Sequence, residues 1–282
     1  MKSISRISYD ALQVEGLKGV LAQVSRACHE LDIHFFIVGA IARNIWFAAH
    51  DEKPGGTRDI DFAVYIPSQE DYQKLKEKLQ ADYGYHNSSE NAYCMLTPEG
   101  MPVDLLPFGD IEKEGQVVRE GKGLNRISMD GFREVHCFGL KQVNLGNEAY
   151  EVCNIPSVII LKLIAFDDRP EHRIKDVKDI DSICKSYPSL EQEYIWSDHF
   201  DLYTEDRSHD EVAMIVLGRE IRKIAQMNDQ LYQRLFSILR QGIEGKSGLM
   251  NHMIQDSEKE NLGQKQIILR KILEGLTGEN IT

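Results

Sequence analysis

Three aspartates on two predicted strands have the spacing of a divalent-metal site. Asp59 and Asp61 are two residues apart at the start of the apolar stretch DIDFAVYI, and on a strand their side chains leave the same face about 6.6 Å apart. Asp104 is the one charged residue in the run Met101–Phe108, where a buried carboxylate is costly without a cation or hydrogen-bond partners. If the two strands are neighbours, Mg²⁺ would let all three carboxylates stay ionised. Such a set is typical of phosphoryl transfer with two metal ions.

Each of these aspartates also has a plainer interpretation. A chain with 45 acidic residues among 282 contains roughly seven acidic pairs at this spacing by chance. Asp59 and Asp61 could therefore form a solvated strand end, and Asp104 could cap a turn on an edge strand. The metal hypothesis depends on whether the sheet places the two strands side by side.

The beginning of the predicted helix after Gly39 is a candidate phosphate site. Gly39 follows the short apolar strand 33–38 at the point where a helix begins, and a helix N-terminus offers N–H groups and a favourable dipole to an anion. Arg43, one turn into that helix, could add a bidentate phosphate contact. Arg58, just before the acidic pair, could do the same. Both arginines could instead be ordinary surface residues.

A lysine and two aspartates form a second charged group later in the chain. Lys162 lies within the apolar run VIILKLIAF, so its stem should be buried while its head reaches water or meets an anion such as a triphosphate or a carboxylate. Asp176 and Asp179 lie on one helical stripe about a dozen residues further on. Alternating charge of this kind is most often a solvated helix face.

The elements that must position these residues alternate between helix and strand at first. Apolar spacing predicts the order α-β-α-β-α over residues 10–31, 33–38, 40–49, 59–66 and 68–81. From about 84 to 153, glycines recur between short apolar runs, a pattern typical of antiparallel strands joined by turns. The predicted strands there are CMLT, MPVDLLPF, QVV and EVHCFGL.

The rest of the chain reads as almost wholly helical. The segment Pro156–Phe166 has proline in its first turn and an apolar interior, both typical of a helix start. We therefore divide the chain into an α/β or α+β sheet domain, residues 1–155, and a helical domain, residues 156–282.

Charge and composition argue against several classes of protein. The chain has 33 Lys and Arg against 45 Asp and Glu, a net charge of −12, whereas general nucleic-acid binding depends on basic residues that neutralise phosphates. No segment approaches the roughly 20 apolar residues of a membrane span, and the N-terminus lacks the apolar core of a secretion signal. We expect a cytoplasmic protein that does not contact membranes. Five scattered cysteines without a C-x-x-C motif argue against a disulfide framework and a thiolate zinc site.

Three segments together resemble the signature motifs of the nucleotidyltransferase superfamily, which includes DNA polymerase beta, the CCA-adding enzymes and the antibiotic nucleotidyltransferases. They are IVGAIARN at 37–44, TRDIDF at 57–62 and VDLL at 103–106. This resemblance implies an α+β fold with a mixed sheet flanked by helices, followed by a C-terminal helical domain.

The same resemblance implies roles for individual residues. In that superfamily a Gly-Gly or Gly-Ser step holds the triphosphate, an Asp-x-Asp pair binds two Mg²⁺ ions and a third carboxylate completes the site. Nucleotide binding is thus implied for Gly39 and Ala40, and metal binding and catalysis for Asp59, Asp61 and Asp104. Ala40 departs from the pattern, since a serine hydroxyl is absent and phosphate binding must rely on backbone N–H groups.

A later segment is similar to a narrower group. The stretches KLIAFDDR at 162–169 and KDVKDI at 175–180 resemble a segment of the AbiEii abortive-infection toxin nucleotidyltransferases. That resemblance implies that Lys162 contacts the nucleotide and that Asp176 or Asp179 supports catalysis. Spacing alone does not choose between the two aspartates.

The resemblances imply Mg²⁺-dependent transfer of a nucleoside monophosphate from an NTP to an acceptor hydroxyl. The acceptor could belong to tRNA or another RNA, to a protein or to a small molecule, and the AbiEii match implies a toxin-like role with an antitoxin partner. Two alternatives remain open. One is a nucleotide-binding regulatory protein without turnover, and the other is a helical adaptor with a structural sheet domain that binds no nucleotide.

Overall fold

The computed structural model of the chain describes residues 7–119, 123–254 and 262–279. These residues form two compact units. The first, here the sheet unit, contains the described residues up to His136 together with Leu140–Asn154. The second, the helical unit, contains Cys137–Gly139 and the described residues from Ile155 onward.

The sheet unit is built on a seven-stranded mixed sheet with a separate two-stranded ribbon. The strands are β1 (Phe35–Ile37), β2 (Ile60–Tyr65), β3 (His86–Asn87), β4 (Cys94–Leu96), β5 (Pro102–Phe108), β6 (Gln116–Val118), β7 (Arg126–Ser128), β8 (Leu140–Leu145) and β9 (Glu148–Cys153). The order in the large sheet is β3-β4-β5-β2-β1-β9-β8, and β6 pairs with β7 in the ribbon. The pairs β2–β5 and β1–β9 are parallel and the others antiparallel.

Helices flank this sheet where the sequence supplies caps and apolar stripes. They are α1 (Leu17–Glu30), α2 (Gly39–Ala49), α3 (Gln69–Tyr83) and α4 (Phe132–Phe138), with a 3₁₀ helix at Tyr9–Leu12. The side chain of Ser68 caps α3 by accepting from the N–H of Asp71 at 3.1 Å, which satisfies a free donor of the first turn. Gly84, in the left-handed region with φ of 72°, ends the helix.

The helical unit contains the remaining helices. They are α5 (Ile155–Asp168), α6 (Ile174–Leu190), α7 (Gln192–Asp198), α8 (His209–Ala225), α9 (Asp229–Ile243), α10 (Leu249–Met253) and α11 (Leu262–Thr277), with a 3₁₀ helix at Phe200–Leu202. Two glycines let α8 and α11 pack closely. A Cβ on Gly218 would lie 2.1 Å from the carbonyl oxygen of Ile272, and one on Gly275 would lie 2.0 Å from that of Ile215. Within the described ranges, every helix is too short or too polar to cross a membrane.

The α+β prediction is confirmed, with a mixed sheet flanked by helices and a helical C-terminal part. The predicted helical stretch includes residues 255–261 and 280–282, which lie outside the described residues. The predicted helix over 10–31 is interrupted, because Gly16 has φ of 77° and α1 begins after it.

One other expectation, between residues 84 and 153, is wrong. EVHCFGL at 134–140 is largely helix α4 rather than a strand, because Phe132 and Val135 are buried at helical spacing, and a short apolar run does not distinguish the two structures. The strands of this region pair antiparallel with one another, as predicted, and β5 also pairs in parallel with β2, which precedes the region.

Candidate functional site

The sheet places Asp61 and Asp104 side by side. They are register partners on the parallel strands β2 and β5, which are spaced about 4.8 Å apart. Both residues are partly exposed, while the alternate positions of the two strands are buried. β5 lies between β2 and β4, so the alternative in which Asp104 caps a turn on an edge strand is wrong. Strand pairing thus sets two carboxylates next to each other on one face of the sheet.

Gly39 lies directly against the carboxylate of Asp61. The backbone N–H of Val38 donates to the carbonyl oxygen of Asp61 at 3.1 Å, and Gly39 follows with φ of +66°. A Cβ on Gly39 would lie 2.1 Å from Oδ2 of Asp61. A side chain at position 39 would therefore be strained and would displace the carboxylate.

The beginning of α2 is positioned by the same junction. Gly39 and Ala40 open the helix, and Val38 caps it without a side-chain hydrogen bond. N–H groups in the first turn of a helix have no partner within the helix, and the dipole there favours an anion. The predicted phosphate position thus adjoins Asp61, although phosphate binding itself stays a prediction.

Two neighbours of Asp104 were missed by the sequence analysis. The Nδ2 of Asn91 donates to Oδ1 of Asp104 at 3.4 Å, and Cys94 on β4 is the antiparallel register partner of Asp104. Burial, followed by the charge of Asp104, raises the pKa of the Cys94 thiol to about 12, so the thiol is protonated at neutral pH. Asn91 lies in a polar turn and Cys94 in an apolar strand, and neither context indicates that the residue is close to Asp104. Local sequence does not determine the register between strands.

Asp59 and Arg58 lie just before β2 and are exposed. The hydroxyl of Thr57 donates to Oδ1 of Asp59 at 2.5 Å. In the three described ranges, no group of three or more His, Cys, Asp and Glu residues is arranged to hold a metal ion. The convergence of the three carboxylates on one metal ion, and metal binding by Asp59, stay predictions.

Arg43 is not a surface residue. It is 4% exposed, and its Nε and Nη2 donate to Oδ1 of Asn44 at 3.1 and 2.8 Å. Asn44 in turn donates to the carbonyl oxygen of Gly55 at 2.7 Å and accepts from its N–H at 3.1 Å. Burial lowers the pKa of Arg43. Arg43 and Asn44 therefore hold the loop that leads to Asp59, and a phosphate contact by Arg43 stays a prediction.

Lys162 in the helical unit is buried and meets both predicted aspartates. It is 6% exposed, and its Nζ lies 2.7 Å from Oδ1 of Asp176 and 2.7 Å from Oδ2 of Asp179. The aspartate side chains are 13% and 20% exposed. The two alternatives, a lysine head in water and a solvated acidic face, are therefore wrong. The anion that Lys162 meets is this carboxylate pair.

The donor set in the sheet unit suits Mg²⁺. This ion takes oxygen ligands and commonly uses one or two protein carboxylates together with phosphate oxygens and water. Asp61 and Asp104 supply two such carboxylates in register, so a group of three protein ligands is not required. The residues present fit the ion.

No family model and no curated protein matches the chain. The solved structures that are similar to it include the following three. The antibiotic-resistance factor ANT(2″)-Ia is 12% identical, with a TM-score of 0.39, covering 65% of this chain and 95% of that one. An antigenic nucleotidyltransferase-like protein from Paracoccidioides brasiliensis is 14% identical, with a TM-score of 0.39, covering 79% and 94%. The Thermotoga maritima CCA-adding enzyme, complexed with tRNA, is 10% identical, with a TM-score of 0.34, covering 89% and 66%.

Proposed function

We propose that the chain is a divalent-metal-dependent nucleotidyltransferase, which transfers a nucleoside monophosphate from an NTP to an acceptor hydroxyl. The observation that carries this proposal is the in-register pair Asp61 and Asp104, with Gly39 pressed against Asp61 at the start of a helix. A carboxylate pair beside an uncapped helix N-terminus can serve a metal ion and a phosphate together. The order of the three sequence motifs supports the same assignment.

Asp61 and Asp104 would hold the metal, and Asp59 is the third ligand that the sequence predicts for a two-ion site. When bound, Mg²⁺ supplies electrostatic stabilisation of the charge that develops on the phosphoryl oxygens. Both aspartates are only partly exposed, so their electrostatic attraction to a cation is stronger than it would be in bulk water.

The chain's own groups would position the reactants. Gly39 and Ala40 would present first-turn N–H groups of α2 to the phosphates, and Asp104 would accept the proton of the acceptor hydroxyl. The hydroxyl oxygen forms a bond to the α-phosphorus as the bond from that phosphorus to the bridging oxygen breaks, and pyrophosphate leaves. Asn91, which donates to Asp104, would fix the orientation of that carboxylate.

Nucleotide contact by Lys162 and catalytic support by Asp176 or Asp179 belong to the proposal as implied by the AbiEii resemblance. A nucleotide contact by Lys162 would require its ammonium to exchange one of its two 2.7 Å ion pairs for a phosphate. We therefore place the chemistry on the sheet carboxylates.

The proposal includes several classes of acceptor. RNA, including tRNA, a protein side chain and a small molecule are all compatible with an acceptor hydroxyl, and a net charge of −12 favours an acceptor that brings few phosphates of its own. A toxin-like role with an antitoxin partner rests on the AbiEii resemblance.

The proposal is tested by incubating the full chain with radiolabelled NTPs, Mg²⁺ and total RNA, and in parallel with a protein extract and a small-molecule fraction. We expect label in one acceptor fraction and released pyrophosphate. Asp61→Asn should lower the rate by about a thousandfold, because a metal ligand is lost, without lowering thermal stability. Glu99→Gln, an exposed change in the turn before β5, is the matched control and should leave the rate unchanged.

A second candidate is a nucleotide-binding regulatory protein without turnover. It is favoured by the lack, in the described part of the chain, of a preformed group of three metal-binding side chains. Tight NTP binding without any labelled product in the three fractions would support this candidate and contradict the transferase. A lack of both product and Mg²⁺-dependent nucleotide binding would contradict both and favour a structural adaptor.

A further inference from the structure

Four aromatic residues from α7 to the beginning of α8 form a cluster, here called the aromatic surface: Trp196, Phe200, Tyr203 and His209. The rings of Trp196 and Tyr203 are 4.3 Å apart and 7° from parallel, and His209 stacks on Tyr203 at 13°. The hydroxyl of Tyr203 and Nδ1 of His209 are joined by a 2.6 Å hydrogen bond. The stack is therefore held in place without a ligand.

The aromatic surface remains open to solvent. Phe200 is 70% exposed and Trp196 is 47% exposed, and the ring of Phe200 lies 6.3 Å from that of Tyr203. Large exposed aromatic side chains that cluster mark interaction sites more often than scattered ones do. Aromatic residues are also the side chains that most often dominate binding energy at interfaces.

The surroundings of the aromatic surface are strongly acidic. Residues 186–218 contain eight Asp and Glu and a single Lys or Arg, Arg207, so this stretch carries more than half of the chain's net charge. Arg207 is paired with Glu274 at 2.6 Å, and Arg219, just beyond this stretch, is paired with Asp201 at 2.7 Å. The other exposed acids that flank the aromatic rings in sequence are Glu193, Asp198, Glu205, Asp206 and Asp210.

We propose that the aromatic surface binds an arginine-bearing basic segment of a partner protein. A guanidinium is planar, stacks on aromatic faces and pairs with carboxylates through its edge. Phe200 and Trp196 supply the faces, and Glu205 and Asp206 supply carboxylates within the same loop. The negative field of this stretch steers a cationic partner toward the rings and repels the phosphates of a nucleic acid.

The chain provides its own probe for this test. Trp46 and Trp196 are the two tryptophans, so Trp46→Phe leaves Trp196, inside the aromatic surface, as the single tryptophan that selective excitation reports. The ligand is a synthetic peptide with four arginines separated by glycine and leucine. A peptide of the same sequence with citrulline in place of arginine keeps the planar group without its charge. Calorimetry on the unsubstituted chain measures the same affinity without fluorescence.

We expect saturable binding of the arginine peptide, with a change in Trp196 emission and at least about tenfold weaker binding of the citrulline peptide. Phe200→Ser should weaken binding about fivefold through loss of a cation–π contact. Glu205→Gln with Asp206→Asn should weaken it further and flatten its salt dependence. Met227→Ser, at a side chain 61% exposed beyond the far end of α8, is the matched control and should change nothing.

Three results with the peptides would overturn the proposal. They are the lack of saturable binding by calorimetry, equal affinity for the arginine and citrulline peptides, and an affinity that Phe200→Ser leaves unchanged. Tighter binding of a single-stranded RNA of similar length would also contradict it, because that result would assign the surface to nucleic acid. None of these outcomes depends on transferase activity, so this proposal and the proposed function can fail separately.

Discussion

The two units hold their acidic pairs in different ways. In the helical unit, Asp176 and Asp179 meet one buried ammonium, that of Lys162, at 2.7 Å each. In the sheet unit, Asp61 and Asp104 are brought together by the register of two parallel strands. The first pair carries its own cation, as a structural ion-pair cluster does. The second is assembled by the backbone, which is the arrangement that the proposed metal site requires.

The buried lysines of the two units show the same difference. Lys162 is 6% exposed and Lys76, on α3, is 4% exposed. The Nζ of Lys76 donates to the carbonyl oxygen of Ala92 at 2.9 Å, and within the described ranges neither Lys76 nor the neighbouring Arg119 forms an ion pair. Lys76 and Arg119 thus carry charge that no ion pair within the described residues neutralises, an arrangement more typical of functional sites than of cores.

The largest expected effect is a difference in transfer activity between substitutions in the two acidic pairs. Asp104→Asn should lower nucleotidyl transfer by about a thousandfold, because a metal ligand and proton acceptor is lost, while the free energy of unfolding falls little. Asp176→Asn should lower stability while most of the activity remains in the folded fraction. Rates and urea unfolding curves of both variants check this. If Asp176→Asn were fully stable but inactive, the comparison would fail and the role implied by the AbiEii resemblance would stand.

The next effect is on stability alone. Lys162→Met should lower the free energy of unfolding by about 3–5 kcal/mol, because two largely buried carboxylates lose their shared cation. Changing Asp176 and Asp179 to Asn as well should recover part of this loss, since the remaining amides need no counter-ion. Lys178→Met, on the exposed side of α6, is the matched control and should change stability by less than about 0.5 kcal/mol. A loss under 1 kcal/mol in Lys162→Met would argue against a structural ion-pair cluster.

A third substitution tests the junction between Gly39 and Asp61. Gly39→Ala should lower the free energy of unfolding by about 1–3 kcal/mol, because an L-residue is strained at φ of +66° and its Cβ meets Oδ2 of Asp61. Transfer activity should fall with it, since the carboxylate moves. Gly19→Ala is the control, because Gly19 lies within α1 with open space around it, and alanine there should stabilise the helix by up to about 1 kcal/mol. Unchanged activity in Gly39→Ala would separate Asp61 from the phosphate position.

Local patterns were sufficient to predict most elements of the fold. The strand DIDFAVYI appears as β2, the helix after Pro67 as α3 and the apolar run around Lys162 as α5, because each has a periodicity, a cap or a proline that acts over a few residues. EVHCFGL failed because seven residues are too few to separate helix from strand. Pairing between distant strands, such as β5 with β2, depends on tertiary packing, and no local sequence pattern indicates it.

The candidate site was likewise predictable only where local sequence carries the signal. Asp61, Asp104 and Gly39 could be chosen from the sequence because a charge in an apolar run and a glycine at a strand–helix step are local signals. The pairing of Asp61 with Asp104, and the closeness of Asn91 and Cys94 to Asp104, depend on register across three strands and on the turn before β4. The burial of Arg43 and the sharing of Lys162 between two aspartates depend on packing around each helix, which residue type and spacing do not determine.

The smallest expected effect is a pH dependence that comes from Lys76. Burial, followed by the charge of Arg119, lowers the pKa of Lys76 from 10.5 to about 8. Between pH 8 and 10.5 the unfolded chain therefore binds more protons at this residue than the folded chain, so the free energy of unfolding rises with pH. Between pH 7.5 and 10, unfolding in urea should show a contribution from Lys76 on the order of 1–2 kcal/mol, which Lys76→Met should lack. Lys53→Met, on an exposed loop, should keep it. Were the two variants to show the same pH dependence, the pKa of Lys76 would be the same in the folded and unfolded chains, and the contrast between the two buried lysines would not hold.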